Sequence, residues 1–139
     1  MLSGLGNESK RWEVKVKDLK DDFKNLTGNI LISAALMAYL GPFTLDYREE
    51  MVKKWHKRVK ALKIPVIDSE FSLERTLADP VKIREWEMAG LPADQLSKDN
   101  GIMMFNCHRW PLIIDPQNQA NKWLKEYLSN SNLQILKLT

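Results

Sequence analysis

Arg109 to Trp123, RWPLIIDPQNQANKW, is the stretch that decides how this chain is read. Leu112, Ile113 and Ile114 form a short apolar run behind Pro111, and Asp115-Pro116 ends it before a helix-permissive segment, Gln117 to Leu128. The order predicted is strand, turn, helix. A phosphate-binding loop uses the same order, because backbone amides and a helix N-terminus together hold an anion. Laid on the pattern GxxxxGK[ST], the stretch puts Pro116 and Asn121 at the glycines, Lys122 at the lysine and Trp123 at the hydroxyl. Only the lysine survives. Proline has no amide to donate, and asparagine carries a Cβ where backbone must approach phosphate. Trp123 has no hydroxyl for Mg²⁺, and Asp115 brings negative charge to the place a phosphate would need. A lone lysine on a solvated helix face is the ordinary case. The expectation is a strand-turn-helix frame whose vestigial loop (Asp115, Pro116, Gln117, Asn121, Lys122, Trp123) binds no nucleotide.

Outward from that frame, Leu133 to Leu138 (LQILKL) alternates like a strand, and two strands joined by a helix would lie parallel in a right-handed βαβ unit. A two-strand sheet with so much uncovered surface is expected only in a piece of something larger. Ahead of the frame, Asp79-Pro80 is a helix start, with Val81, Ile83 and Trp86 packing and Gly90 and Pro92 stopping it. Asp94 or Ser97 is positioned to cap a further helix through Ile102 to Phe105; a strand is the rival there, because Gly101 weakens a helix. Phe71 to Leu73 reads as a short element.

The N-terminal third is predicted to be helical. From Trp12 the apolar residues Trp12, Val16, Leu19, Phe23 and Leu26 are spaced four, three, four, three, a heptad seam flanked by Lys15, Lys17, Asp18, Lys20, Asp21 and Lys24. The spacing admits two readings, an amphipathic helix packed on its own domain or a coiled-coil end whose mate lies elsewhere in a longer chain. Thr27-Gly28-Asn29 interrupts the pattern, with Thr27 as a cap for the next helical run. Ile30 to Leu40, ILISAALMAYL, is apolar on nearly every side but too short for a membrane span, so it reads as a buried helix stopped by Gly41-Pro42. Thr44 and Asp46 open the next helix. Tyr47, Met51, Val52, Trp55, Val59 and Leu62 line one of its faces, while Arg48, Lys53, Lys54, Lys57 and Lys60 form a solvated remainder. His56 lacks a second ligand at helical spacing and reads as structural.

Bulk properties bound the function. The chain has 139 residues, enough for one domain of common size; 44% are hydrophobic and 28% charged, which suits a globular chain rather than a disordered one. A net charge of +3 with interleaved signs does not nominate nucleic acid, and no membrane partner is expected. The single cysteine, Cys107, fits a reducing compartment, and residues 1 to 11 lack the apolar core of a signal peptide. No HExxH, CxxC, GxSxG or glycine-rich loop is present. Cys107 and His108 are neighbours in sequence, which does not make a facing dyad, and one cysteine with two scattered histidines does not make a zinc site. No catalytic residue and no metal are expected, and the five tryptophans are expected to pack in cores rather than stack on bases.

Four runs, SGLGNESKRW, TGNILISAALMAYLGPFT, ADPVKIREWEMAGLPADQLSKDNGI and RWPLIIDPQNQANKW, resemble the dynein heavy chain motor, axonemal type. The resemblance covers essentially the whole chain and is most specific in WPLIIDPQNQANKW read with LPADQLS. It implies an α/β, mostly helical segment. Residues 1–26 would be the base of the stalk's returning coiled-coil helix, 27–70 a helical small-subdomain segment of the fourth AAA+ module, and 71–139 the opening strand-helix-strand of the fifth module's P-loop AAA+ large subdomain. It further implies a structural and force-transmitting link in an ATP-driven microtubule motor of the cytoplasm, cytoskeleton and the axoneme of cilia or flagella, with Trp12, Val16, Leu19, Phe23 and Leu26 as the stalk seam. The implied partners are the rest of the ring, the outgoing stalk helix, the microtubule through the stalk tip, and dynein intermediate and light chains. ATP and Mg²⁺ would sit in other modules; the parent would be an ATPase, while this segment carries no complete active site. The alternatives are a divergent nucleotide site using Lys122 and a free-standing helical adaptor.

Overall fold

A computed structural model describes residues 2–136. Among these residues six helices run in order: α1 (Leu2–Tyr39), α2 (Leu45–Ala61), α3 (Leu73–Leu77), α4 (Pro80–Met88), α5 (Gln95–Asn106) and α6 (Gln119–Tyr127). The chain divides into two compact units, one of residues up to 40 with 46–71, the other of residues 41–45 with those from 72 onward.

In the first unit, α1 passes through Thr27-Gly28-Asn29 without a break, correcting the expected interruption and the capping role of Thr27. A glycine costs a helix about 1 kcal/mol relative to alanine. Here it serves clearance. A Cβ on Gly28 would overlap the Pro65 carbonyl oxygen and come within 2.6 Å of the Val66 Cβ. Beyond that point α1 buries Asn29, Ile32, Ser33 and Leu36, the 3.6-residue spacing of one face, and Leu40 just past its end is buried too. Ile30, Leu31 and Tyr39 are exposed, so the segment is amphipathic in placement although apolar in composition. The buried Ser33 hydroxyl is satisfied by donating to the Asn29 carbonyl, 2.9 Å away.

In α2, Val59 is buried and Met51, Val52, Trp55 and His56 are half-buried, whereas Tyr47 and Leu62, at the ends of the expected stripe, are exposed. Arg48, expected on the solvated face, is also buried. The reason is spacing: Arg48, Val52, Trp55 and Val59 fall at i, i+4, i+7 and i+11 on one stripe, so position along the helix rather than residue type places Arg48 on the packed face. The helix ends with Lys63 in the left-handed region (φ 57°), its amide on the Lys60 carbonyl and that of Ile64 on Val59, a Schellman closure just ahead of Pro65. His56 is structural, since its Nε2 donates to the Ile67 carbonyl at 2.6 Å.

The second unit is built on well-capped short helices. Ser72 caps α3 through a bond from the Arg75 amide, Asp79 caps α4 through that of Val81, and Asp94 caps α5 through both the amide and the hydroxyl of Ser97. Gly90 (φ 101°) closes α4, with its amide on Glu87 and that of Leu91 on Trp86. α3 packs on α5, and α4 on α6. Ile102 lies in helix, not strand, and Gly101 is tolerated because its missing Cβ makes room for the Trp86 ring.

The protein is mostly helical, as the sequence implies, but the expected strands are not laddered. Among the described residues there is no strand. Leu112 to Ile114 and Leu133 to Leu136 are non-helical and exposed, and the two do not pair in the predicted parallel βαβ unit. A strand exists only by its ladder bonds, and two short segments without flanking strands make no stable sheet. Leu138, the end of the second predicted strand, lies outside the described residues. Among the described residues no helix is long and apolar enough to cross a membrane.

Candidate functional site

The loop before α6 folds back on its own helix. The Asn118 amide donates to the Asp115 carbonyl at 3.2 Å, closing a turn over Pro116 and Gln117. Asn118 then adopts a left-handed conformation (φ 59°, ψ 25°), which asparagine tolerates better than most residues. This reversal starts α6 at Gln119, two residues into the helix-permissive segment that begins at Gln117, and aims its first amides at Asp115. The carboxylate takes one amide on each oxygen: Gln119 N to Oδ1 at 2.9 Å and Asn121 N to Oδ2 at 3.0 Å. Asn121 also ties the turn through Nδ2 to Asn118 Oδ1, at 2.7 Å.

A helix N-terminus carries a partial positive charge and unpaired donors, so an anion there is stabilised. In this loop the anion is the chain's own carboxylate. Any phosphate directed at these amides would have to displace Asp115 from both bonds. From sequence, Asp115 signals only adverse charge. The double acceptance depends on the left-handed Asn118, for which the only advance sign is an asparagine just ahead of a helical run.

The other loop residues diverge in placement. Lys122 and Asn121 are exposed. Trp123, at the hydroxyl position of the pattern, points the other way and is buried in an aromatic cluster. Its ring meets Trp86 edge-on at 5.9 Å between centroids and Phe105 edge-on at 6.1 Å, with Tyr127 stacked at 6.4 Å. Trp86 stacks on Phe105 at 5.0 Å. Such offset and T-shaped pairs are the favourable aromatic geometries. Thus α4, α5 and α6 are joined through Trp123 and the rings around it. Trp12 and Trp110 are exposed, which corrects the expectation that all five tryptophans are core.

The predicted seam is the second candidate. Trp12, Val16, Leu19, Phe23 and Leu26 all stand on α1 with exposures from 46% at Leu26 to 78% at Phe23. These large apolar side chains repeat every three or four residues, so they form a continuous stripe rather than scattered surface positions. The flanking pairs Glu8–Arg11 at 3.2 Å and Asp21–Lys24 at 3.8 Å are exposed i,i+3 contacts of small energetic weight. Cys107 is exposed, and its sulfur accepts the Arg109 amide at 3.4 Å. Among the described residues no group of His, Cys, Asp or Glu is arranged to hold a metal ion.

Comparison with known proteins gives two family matches, which fall on the two candidate regions. Residues 1–59 match the microtubule-binding stalk of dynein motor, and residues 84–139 the ATP-binding dynein motor region. The whole chain is 46% identical to dynein axonemal heavy chain 3 of Mus musculus and 44% to dynein axonemal heavy chain 6 of Homo sapiens. Over 126 residues, 90% of the chain, it is 44% identical to the dynein-1-beta heavy chain of the flagellar inner arm I1 complex of Chlamydomonas reinhardtii. The chain spans about 3% of the length of each of these relatives.

Proposed function

We propose that this chain, which belongs to the dynein heavy chain family, is the link between stalk and ring in an ATP-driven microtubule motor of the axoneme. The observation that carries the reading is the two-part character of α1. One end of a single 38-residue helix presents an unpartnered apolar seam, Trp12 to Leu26, and the other is seated in a packed unit through Ile32, Ser33 and Leu36. A helix of that kind transmits displacement along its axis, because it is stiff over tens of ångströms and anchored at one end.

On this reading residues 1–26 are the base of the returning stalk helix, 27–70 belong to the small subdomain of the fourth AAA+ module, and 71–139 open the large subdomain of the fifth. The seam pairs with the outgoing stalk helix. Its heptad spacing lets it bury apolar surface in more than one register, so a ring rearrangement becomes a register change and then a change in microtubule affinity. The rest of the ring, and intermediate and light chains, are the remaining partners, and ATP and Mg²⁺ act in other modules. The loop around Asp115 serves as scaffold, with its carboxylate in the anion position and Trp123 committed to the aromatic core.

The test is the double substitution Leu19→Ser/Phe23→Ser in the complete heavy chain. Microtubule affinity, measured by co-sedimentation in two nucleotide states, should lose a state dependence on the order of tenfold, while ATP turnover persists. An unchanged dependence would remove the seam from the mechanism.

A further inference from the structure

The boundary between the exposed and buried parts of α1 is abrupt, and one loop makes it. Trp12, Val16, Leu19, Phe23 and Leu26 are exposed; Gly28 and Asn29 are buried. At that turn the loop following α2 crosses the helix. The Gly28 amide donates to the Pro65 carbonyl at 2.9 Å, a backbone bond from within α1 to the loop. One residue on, the Asn29 side-chain oxygen accepts the Ile67 amide at 3.2 Å. The loop's other side is fixed to α2, where His56 Nε2 donates to the Ile67 carbonyl at 2.6 Å and Lys60 Nζ reaches the carbonyl and carboxylate of Asp68 at 3.2 and 3.0 Å. Val66, between the two anchor points, is buried. Ile67 therefore gives its amide to α1 and its carbonyl to α2.

We propose that Pro65 to Ile67 is a clamp that fixes α1 at Gly28–Asn29, making that turn the fulcrum about which the exposed seam moves and passing its motion to α2 through His56. The proposal rests on the stalk reading and goes beyond it by naming the coupling residues. Glycine at 28 is required by the clamp itself, since any Cβ would meet the Pro65 carbonyl oxygen and the Val66 Cβ and lift the loop away. Asn29 has a similar logic. A helix interior favours many residues over asparagine, but its short amide side chain reaches the Ile67 amide while its backbone stays helical.

Asn29→Ala and Gly28→Ala, each in the complete heavy chain, test the clamp. Alanine strengthens the helix at both positions, so a loss in Asn29→Ala reports the missing side-chain bond rather than a weakened helix. Gly28→Ala is the steric counterpart, and Asn29→Ala remains interpretable if Gly28→Ala fails to fold. Two quantities are read: amide hydrogen exchange at Ile67, and the ratio of microtubule affinities in two nucleotide states. The clamp predicts exchange faster by about fivefold or more and an affinity ratio reduced by about fivefold or more, with basal ATP turnover retained. Unchanged Ile67 exchange in Asn29→Ala would show that no clamp exists. Faster exchange with a native affinity ratio would show that the contact is local packing and couples nothing. The seam variant Leu19→Ser/Phe23→Ser separates the two levels: if it abolishes the nucleotide dependence while the clamp variants do not, only the clamp is overturned. If neither acts, the stalk reading falls and takes the clamp with it.

Discussion

Replacing Asp115 by alanine removes the acceptor for two α6 amides at once, those of Gln119 at 2.9 Å and Asn121 at 3.0 Å. Both bonds are solvent-exposed, so water rehydrates the freed donors and the full penalty of a buried orphan does not apply. Losing a side-chain cap costs about 1 kcal/mol, and removing a negative charge from a helix N-terminus up to about 1 kcal/mol more. The sum, about 2 kcal/mol, corresponds to roughly thirtyfold in a local opening equilibrium. Amide hydrogen exchange in the complete heavy chain reads this directly. Gln119 and Asn121 should exchange about thirtyfold faster in Asp115→Ala, while Trp86 and its neighbours in α4 keep native protection. Asp115→Asn retains one oxygen acceptor without the charge and should fall between the two. Native exchange at both amides in Asp115→Ala would refute the claim that this carboxylate holds the anion position, and with it the account of the loop as self-filled scaffold.

Gly101→Ala places a Cβ 3.2 and 3.3 Å from two Trp86 ring carbons and 3.4 Å from Trp123. The helix gains about 1 kcal/mol of propensity, but both rings are buried and must shift to admit the methyl, and overpacking costs about 1–3 kcal/mol. The net is a loss on the order of 1 kcal/mol, visible as faster exchange across α5 and α6; a slower exchange there would contradict it. Acid should act at the start of α5. Burial pushes the Asp94 carboxyl upward, but its bonds from the Ser97 hydroxyl and amide outweigh that and hold it below the usual aspartate value. A carboxyl lowered in the folded state contributes stability that is complete above its unfolded value of about 3.9 and disappears as pH falls through the lowered one. The first turn of α5 should accordingly keep constant protection from pH 7 to 5 and fray below about pH 4, and Asp94→Asn, which still caps, should flatten that dependence.

Helix starts and stops were legible in the sequence because each rests on local chemistry: Asp79-Pro80, Asp94, Gly90 and Gly41-Pro42 act within a turn of themselves. The exposed apolar stripe on α1 was equally legible, being a matter of spacing along one helix. What could not be read was set by distant residues. Gly28 looks like a helix break until Pro65 and Val66 are seen against it, and Gly101 like a weak point until Trp86 fills the space. Arg48 counts as surface by type and as core by stripe, and the stripe prevails. The apolar runs at Leu112 and Leu133 carry strand composition, yet strand is a property of pairs, and neither has a ladder partner among the described residues. The loop at Asp115 was half legible: the lost glycines and hydroxyl could be read from the letters, and the carboxylate's two bonds could not, because they depend on the backbone turning left-handed at Asn118.

The most direct measurement of force transmission is the register of the seam. Single cysteines at Leu19 or Phe23, each combined with a series of cysteines along the opposing stalk helix, would be crosslinked in the complete motor under two nucleotide states. A link that passes ring movement to the microtubule predicts that the favoured partner position shifts between states. One invariant partner, with nucleotide-dependent microtubule affinity intact, would contradict it.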